Sequence, residues 1–331
     1  MVKIGLIGFG NVGKAFVKLI TERYPQWKFV FILKSDGGII QKEGIVLEND
    51  VLPFENDLSK SPQFQKNLNW RETLKERPDY LVELSPTNLK DAEPAYTYIS
   101  SALSLGISVV TGNKGPVVRY YKALKKLADD HEATLHIGCT VGAALPSAIL
   151  GQYGLAGAKI VSVQGVLTGT TNYILNEMRQ GKDFETVLQE AQKAGIAETN
   201  PSMDIDGFDT AIKMCILVNC LMGTSLQLSD VEIRGIRGVT KEEVMAAKDA
   251  GKKIKLVGRM RKENERYHVW VKPEVVAPDS PLYNIEGKNK GICYETDILG
   301  TLTVIGGASA PQNAAASVLR DILLDLQEGV H

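Results

Sequence analysis

The opening segment, Val2 to Gly13, constrains the fold more than any other stretch. A short apolar run with a β-branched bias stops at Gly8, and an amphipathic pattern comes next, with Val12, Phe16, Leu19 and Ile20 at three- and four-residue spacings. Pro25 ends that pattern, and Lys28 to Leu33 reads as a second buried strand. Strand, glycine turn, helix and strand make the opening unit of a parallel sheet. Each glycine has a task. Gly8 permits the tight turn, Gly10 lets backbone approach a pyrophosphate without a Cβ, and Gly13 lets the helix pack closely on the strand. The helix N-terminus then offers free N–H groups and a positive dipole end to the phosphates. A lone GxGxxG pattern is a weak signal; here it opens the chain between an apolar strand and an amphipathic helix. It predicts a dinucleotide site built from Gly8, Phe9, Gly10, Asn11, Val12 and Gly13.

The choice of dinucleotide rests on the residues at the end of the second strand. An acidic residue about 20 positions beyond the motif binds the ribose 2′-hydroxyl of NAD. Leu33-Lys34-Ser35-Asp36 occupies that region. Lys34 can meet a 2′-phosphate, with Ser35 as a further donor; Asp36 serves NAD if the strand runs further. Both cofactors stay open, with the balance slightly toward NADP.

The alternation continues. Tyr80–Ser85 reads as a strand, 92–105 as a helix, Ile107–Thr111 as a strand leading into Gly112-Asn113-Lys114, Tyr120–Ala128 as a helix and Thr134–Ile137 as a strand. Residues 1–137 therefore form a Rossmann-type, doubly wound α/β dinucleotide-binding domain, with the irregular, polar stretch 34–78 covering the sheet edge or the adenosine end. Residues 138–311 change character. Ile160–Leu167 reads as a strand, Tyr173–Arg179, Phe184–Ala194 and Phe208 to about Met222 as helices, and Lys255–Met260 with Tyr267–Val271 as antiparallel strands. This pattern predicts an α+β second domain. The helical period at Ala314–Leu326 places 312–331 back on the first domain.

Composition narrows the function classes. A net charge of -1 offers no strong field to nucleic acid or an anionic membrane. No apolar stretch reaches the roughly 20 residues needed to span a bilayer, and the N-terminus lacks the features of a signal peptide. Cys139, Cys215, Cys220 and Cys293 form no CxxC pair and no zinc spacing, so they read as buried, reduced thiols in a cytoplasmic protein. Cys139 has no His partner or nucleophile motif around it. His131, His136, His268 and His331 are dispersed and carry no catalytic or metal-binding role. The tip Arg261–Arg266 reads as a solvated hairpin.

The richest segment is Ala194 to Lys213, in which Glu198, Asp204, Asp206, Asp209 and Lys213 converge on a turn and the start of a helix. Asp209 and Lys213 stand four apart and share a helix face, among the apolar neighbours Ile212, Ile216 and Leu217. A partly desolvated lysine would have a lowered pKa suited to proton transfer; a nearby aspartate would oppose that shift and hold the ammonium in place.

This segment resembles the signature of the homoserine dehydrogenases, Asn-Pro-x-x-Asp-x-x-Gly-x-Asp-x-x-x-Lys, with Ala191 matching the entry alanine four before Gly195. Gly112-Asn-Lys114, Thr140–Pro146, Gly169–Ile174 and Gly300–Gly306 match in the expected order, so the resemblance spans nearly the whole chain. It implies NAD(P)-dependent interconversion of L-homoserine and L-aspartate 4-semialdehyde, in threonine, methionine and isoleucine biosynthesis. Lys213 then passes the proton to or from the substrate oxygen, and Lys114 lies by that oxygen and the nicotinamide. Glu198 holds the substrate amino group, Asp209 completes the site, and Asp204 lies in the same turn. Thr170 is a further substrate contact, and Ser85 sits on the nicotinamide side. These roles suit the chemistry: a carboxylate meets the ammonium of a zwitterion, and cationic donors stabilise an alkoxide-like oxygen. A homodimer through the second domain is also implied.

Two positions depart from the family pattern. Relatives often bind sodium through a glutamate and backbone carbonyls; Gly138 stands at the glutamate position, while the carbonyls of Val141, Ala143 and Leu145 remain available. The glycine-rich turn near the C-terminus reads Gly306-Gly-Ala-Ser-Ala310-Pro311. No regulatory module of the ACT type and no kinase domain is expected, nor feedback inhibition through one. The rival readings are another two-domain amino-acid or sugar dehydrogenase, which leaves Glu198 through Lys213 unexplained, and a non-catalytic dinucleotide sensor, which lacks a partner-binding element.

Overall fold

The computed structural model describes residues 1–264, 266–307 and 309–328. The expectations for residues 329–331, including His331, and for Glu265 and Ala308 within their turns lie outside the described residues. The chain divides into two compact units: residues 1–140 with the segment from Ala310 onward, and Val141–Ser309.

The first unit begins with β1 (Lys3–Ile7), α1 (Asn11–Arg23), β2 (Lys28–Lys34) and β3 (Gly37–Ile40). The short α2 (Leu47–Asp50), β4 (Gln65–Lys66) and α3 (Trp70–Thr73) come after them. Then come β5 (Tyr80–Glu83), α4 (Ala95–Leu103), β6 (Ser108–Thr111), α5 (Lys114–Asp130) and β7 (Leu135–His136). The sheet order is β4-β3-β2-β1-β5-β6-β7. Strands β2, β1, β5, β6 and β7 run parallel; β3 and β4 add to one edge antiparallel. The stretch 34–78 is thus not wholly irregular. Ser35 and Asp36 form a two-residue loop between Lys34 and Gly37, which pair across β2 and β3. Glycine masks β3 because close backbone leaves no room for side chains: a Cβ on Gly38 would stand 2.3 Å from the Ile32 carbonyl oxygen. Helix α5 starts six residues before the expected Tyr120, where the backbone kinks (φ -131°).

The second unit holds α6 (Ser147–Ile149), β8 (Ile160–Val166), α7 (Gly169–Met178), α8 (Phe184–Lys193), α9 (Ser202–Ile205) and α10 (Phe208–Met222). It continues through β9 (Val231–Ile233), α11 (Lys241–Asp249), β10 (Lys253–Glu263), β11 (Arg266–Val276), β12 (Lys290–Thr296) and β13 (Thr301–Gly306). Its sheet order is β13-β12-β8-β10-β11-β9, antiparallel except for β11 beside β9. Helix α10 is buried continuously from Asp209 to Asn219 and packs on β10, β11 and α9. A helix apolar on all sides must be enclosed.

The last helix, α12 (Pro311–Glu328), belongs to the first unit. It packs on α1 and contributes Ala315, Val318, Leu319 and Ile322 to a core shared with Ile4, Leu6, Phe16, Ile20, Phe29 and Ile32. None of the four cysteines is in a disulfide, and only Cys215 and Cys293 are buried; Cys139 and Cys220 are partly exposed, which corrects the expectation of four buried thiols.

Candidate active site

The glycine turn sits where the strand order reverses, between β1 and β5. Ligands of open α/β sheets bind outside the carboxyl ends of the strands at such a point. Gly8 has φ 104°, and a Cβ there would stand 2.4 Å from the Leu84 carbonyl oxygen. A Cβ on Gly13 would stand 2.1 Å from the Gly8 oxygen, whereas one on Gly10 would meet nothing within 4 Å. Two glycines are therefore demanded by packing, and the third faces open space, where a phosphate can approach. Helix α1 has no side-chain N-cap and no acidic residue in its first turn. Its N–H groups and dipole suit an anion. Phe9 is buried in the core, so only its backbone faces this turn, while Asn11 is exposed and Val12 partly so. These residues fit a dinucleotide.

Beside this turn lies a buried carboxyl that the motifs did not single out. Glu83 ends β5 and is 0% exposed. One of its oxygens accepts from the Ser85 N–H at 2.9 Å and from the Ser85 hydroxyl; the other accepts from Thr111 Oγ1 at 2.9 Å. Burial pushes its pKa up, and the hydrogen bonds from Ser85, Thr111 and Asn113 oppose that shift. Asn113 caps α5 by accepting from the Gly115 N–H at 3.1 Å and donates to the Ser85 and Pro86 carbonyls at 3.2 and 3.3 Å. Glu83 and Asn113 thus tie Ser85 to the turn that carries Lys114, the first residue of α5. An acidic residue inside an otherwise apolar strand was the available signal.

At the other end of the cofactor region, β2 ends at Lys34, and Ser35 and Asp36 lie beyond it, exposed. The Lys34 ammonium stands 3.1 Å from Asp36 Oδ1 and 5.6 Å from the Phe64 ring centre.

In the second unit the carboxylates and the lysine separate by burial. Lys213 Nζ lies 2.5 Å from Asp209 Oδ2, with side chains 11% and 10% exposed. Lys213 also donates to the Leu167 carbonyl at 2.8 Å. The Thr168 hydroxyl reaches Asp209 Oδ2 at 3.3 Å and Thr210 Oγ1 at 2.9 Å. Leu167 and Thr168 join β8 to α7, so the end of that strand is anchored on the ion pair of α10. Thr168 went unnoticed in the sequence, although a polar run closing an apolar strand marks it. Thr170 donates to the Ile196 carbonyl at 3.2 Å, which ties α7 to the turn before Glu198. Asp204 lies in α9, partly buried; Glu198 is exposed, and its carbonyl accepts from Gln192 Nε2 at 3.1 Å.

The sodium ion that the resemblance implies finds a poor set of groups. A Cβ at Gly138 would stand 2.5 Å from Asp321 Oδ1, so a glutamate has no room there. The Val141 carbonyl already accepts from Ser147 Oγ at 2.6 Å, and the Leu145 carbonyl from the Ser147 N–H at 2.8 Å. No group of three or more His, Cys, Asp or Glu that could hold a metal occurs among the described residues. His136 pairs with Asp325 at 2.8 Å, and His131 Nδ1 lies 3.0 Å from the Leu127 carbonyl. No helix among the described residues is long and apolar enough to cross a membrane.

The glycine turn at a switch point and the buried acid–lysine pair define a class of protein, the NAD(P)-dependent oxidoreductases. Comparison with known proteins narrows the class. The family model described as homoserine dehydrogenase matches residues 147–323. A homoserine dehydrogenase of Methanocaldococcus jannaschii is 36% identical over 96% of each chain. An NAD(+)-dependent homoserine dehydrogenase of Pseudomonas canavaninivorans is 31% identical over 97% of this chain and 95% of its own. A hyperthermophilic archaeal homoserine dehydrogenase solved in complex with NADPH superposes with a TM-score of 0.85 at 28% identity, covering 99% of this chain and 98% of its own. The chain belongs to the homoserine dehydrogenase family.

Proposed function

We propose that this enzyme interconverts L-homoserine and L-aspartate 4-semialdehyde, with Lys213 moving the proton at the substrate oxygen. The observation that carries this reading is the Asp209–Lys213 pair, enclosed on an otherwise apolar helix with Leu167 and Thr168 around it. Such a pair is costly to bury; a catalytic duty is the reason to retain it. In the oxidation Lys213 takes the hydroxyl proton, and in the reduction it returns one. Asp209 holds the lysine head in place. Lys114 assists at the same oxygen, Glu198 receives the substrate ammonium, and Asp204 and Thr170 complete the substrate contacts.

The dinucleotide, when bound, accepts or supplies the hydride. Gly8, Phe9, Gly10, Asn11, Val12 and Gly13 hold its pyrophosphate, and Ser85 and Lys114 its nicotinamide end. Lys34 and Ser35 favour the 2′-phosphate of NADP over NAD. The P. canavaninivorans relative by its name uses NAD(+), and the archaeal structure by its description holds NADPH, so the family supports either choice. The enzyme works as a homodimer through the second unit, where alternate residues of the edge strand β13 are exposed. Its place is in the cytoplasmic biosynthesis of threonine, methionine and isoleucine.

Product identification tests the reading. The protein is incubated with L-homoserine and either NAD⁺ or NADP⁺, and the aldehyde is trapped as a hydrazone and weighed by mass spectrometry. A hydrazone of aspartate semialdehyde is expected; its absence with both cofactors would overturn the assignment.

A further inference from the structure

The loop Val141–Leu145 is strained and well braced. Gly142 (φ 89°) and Ala143 (φ 54°) are consecutive left-handed residues. A residue with a Cβ persists there only when its surroundings over-determine it. Ser147, 0% exposed, donates to the carbonyls on both sides of the strained pair. The Gly142 carbonyl accepts from the Leu145 N–H at 3.2 Å and from Lys290 Nζ at 2.8 Å.

Lys290 is the unexpected member. It opens β12, is 1% exposed, and donates a further hydrogen bond to Ser309 Oγ at 3.0 Å. Gly307 completes the arrangement: it has φ 66°, and a Cβ on it would stand 2.6 Å from the Leu145 nitrogen. One lysine head therefore joins the strained loop, the start of β12 and the turn after β13. A lysine head has three donors and no acceptor, so it satisfies carbonyl oxygens much as an oxygen-loving cation does. A second cation beside it would meet the repulsion of a like charge.

We propose that Lys290 is a tethered internal cation that takes the place of a bound alkali-metal ion at the Val141–Leu145 loop. The loop of this enzyme is then set without sodium or potassium. Lys290 acts as a positioning residue, through the backbone of the loop. This role concerns the loop and not the substrate, so it stands or fails apart from the homoserine reading.

The test uses the whole protein in a buffer whose cation is tetramethylammonium, exchanged stepwise for sodium at constant ionic strength. Two readouts are tracked: the thermal unfolding midpoint and the linewidth of the ²³Na resonance. The wild type is expected to show neither a shift in midpoint nor excess ²³Na broadening. Lys290→Ala, which opens space beside the Gly142 carbonyl, is expected to unfold at a lower temperature, to recover about 2 °C or more with sodium, and to broaden the ²³Na line. Sodium-dependent stabilisation or ²³Na broadening of the wild type would overturn the proposal. So would a Lys290→Ala protein that sodium neither stabilises nor binds, since Lys290 would then be a plain hydrogen-bonded bridge. If that variant does not fold, the wild-type titration decides alone.

Discussion

Lys213 Nζ stands 2.5 Å from Asp209 Oδ2, one helical turn away on a helix buried continuously from Asp209 to Asn219. An exposed pair at this spacing contributes about 0.3–0.5 kcal/mol. An enclosed pair is different: removing one partner strands the other charge. The second unit thus gives up stability to hold two side chains for which the proposed function supplies a chemical use.

Lys213→Ala is expected to lower kcat by roughly 10²–10⁴-fold, the ordinary contribution of a positioned acid–base group. Dinucleotide affinity, read by fluorescence titration, should be unchanged because Gly8–Gly13 lie in the other unit. Equal loss of kcat and of cofactor binding would mark Lys213 as structural.

Glu83 holds Ser85, the residue proposed to meet the nicotinamide end. Glu83→Ala strands three donors, the Ser85 N–H, the Ser85 hydroxyl and the Thr111 hydroxyl. A loss of about 1–3 kcal/mol in unfolding free energy is expected for stranded groups, with a raised KM for the dinucleotide. Glu83→Gln keeps an acceptor and should recover most of both. A Gln variant as impaired as the Ala variant would show that the charge, not the hydrogen bonding, matters.

Lys34 is the proposed contact to the 2′-phosphate of NADP. A charge-assisted contact to phosphate is worth roughly 1.5–3 kcal/mol, so Lys34→Ala should raise KM for NADP about tenfold or more and leave that for NAD unchanged. Asp36→Ala, which releases Lys34 from its 3.1 Å ion pair, should shift the preference further toward NADP. Equal effects of Lys34→Ala on both cofactors would exclude a 2′-phosphate contact.

Lys255 gives a pH signature. It is 3% exposed and donates to Asn172 Oδ1 at 3.0 Å and to the Ile285 carbonyl; desolvation lowers its pKa to about 8. In the unfolded chain a lysine titrates at about 10.4. Between these values the unfolded state binds more protons than the folded one, so this group makes stability rise as pH increases from about 8 to about 10. Denaturant unfolding across that window should show the rise in the wild type and its loss in Lys255→Met. An identical pH dependence in both proteins would remove Lys255 as its cause.

The sequence carried the Rossmann frame because its signals are local. Gly8, Gly10 and Gly13 are spaced by a turn and one helix start, and β1 and β2 are apolar runs. What stayed hidden depends on distant pairing. Strand β3 reads Gly-Gly-Ile-Ile, with no polar alternation, since its glycines are dictated by the Ile32 carbonyl and by Gln65. In the site, Asp209 and Lys213 were legible as a spacing of four. Glu83 was not, because its donors come from Ser85 and from Thr111, 28 residues away. Lys290 was invisible for the same reason: its partner carbonyl at Gly142 lies 148 residues earlier.

The most direct test is the rate of nicotinamide reduction, monitored by absorbance at alkaline pH, for wild type and Lys213→Ala with L-homoserine. With Lys213 as the proton-transfer group, absorbance should rise for the wild type with NADP⁺ or NAD⁺, and the variant should give a nearly flat trace at saturating cofactor. No rise for the wild type with either cofactor, or equal rates for the two proteins, would contradict that role.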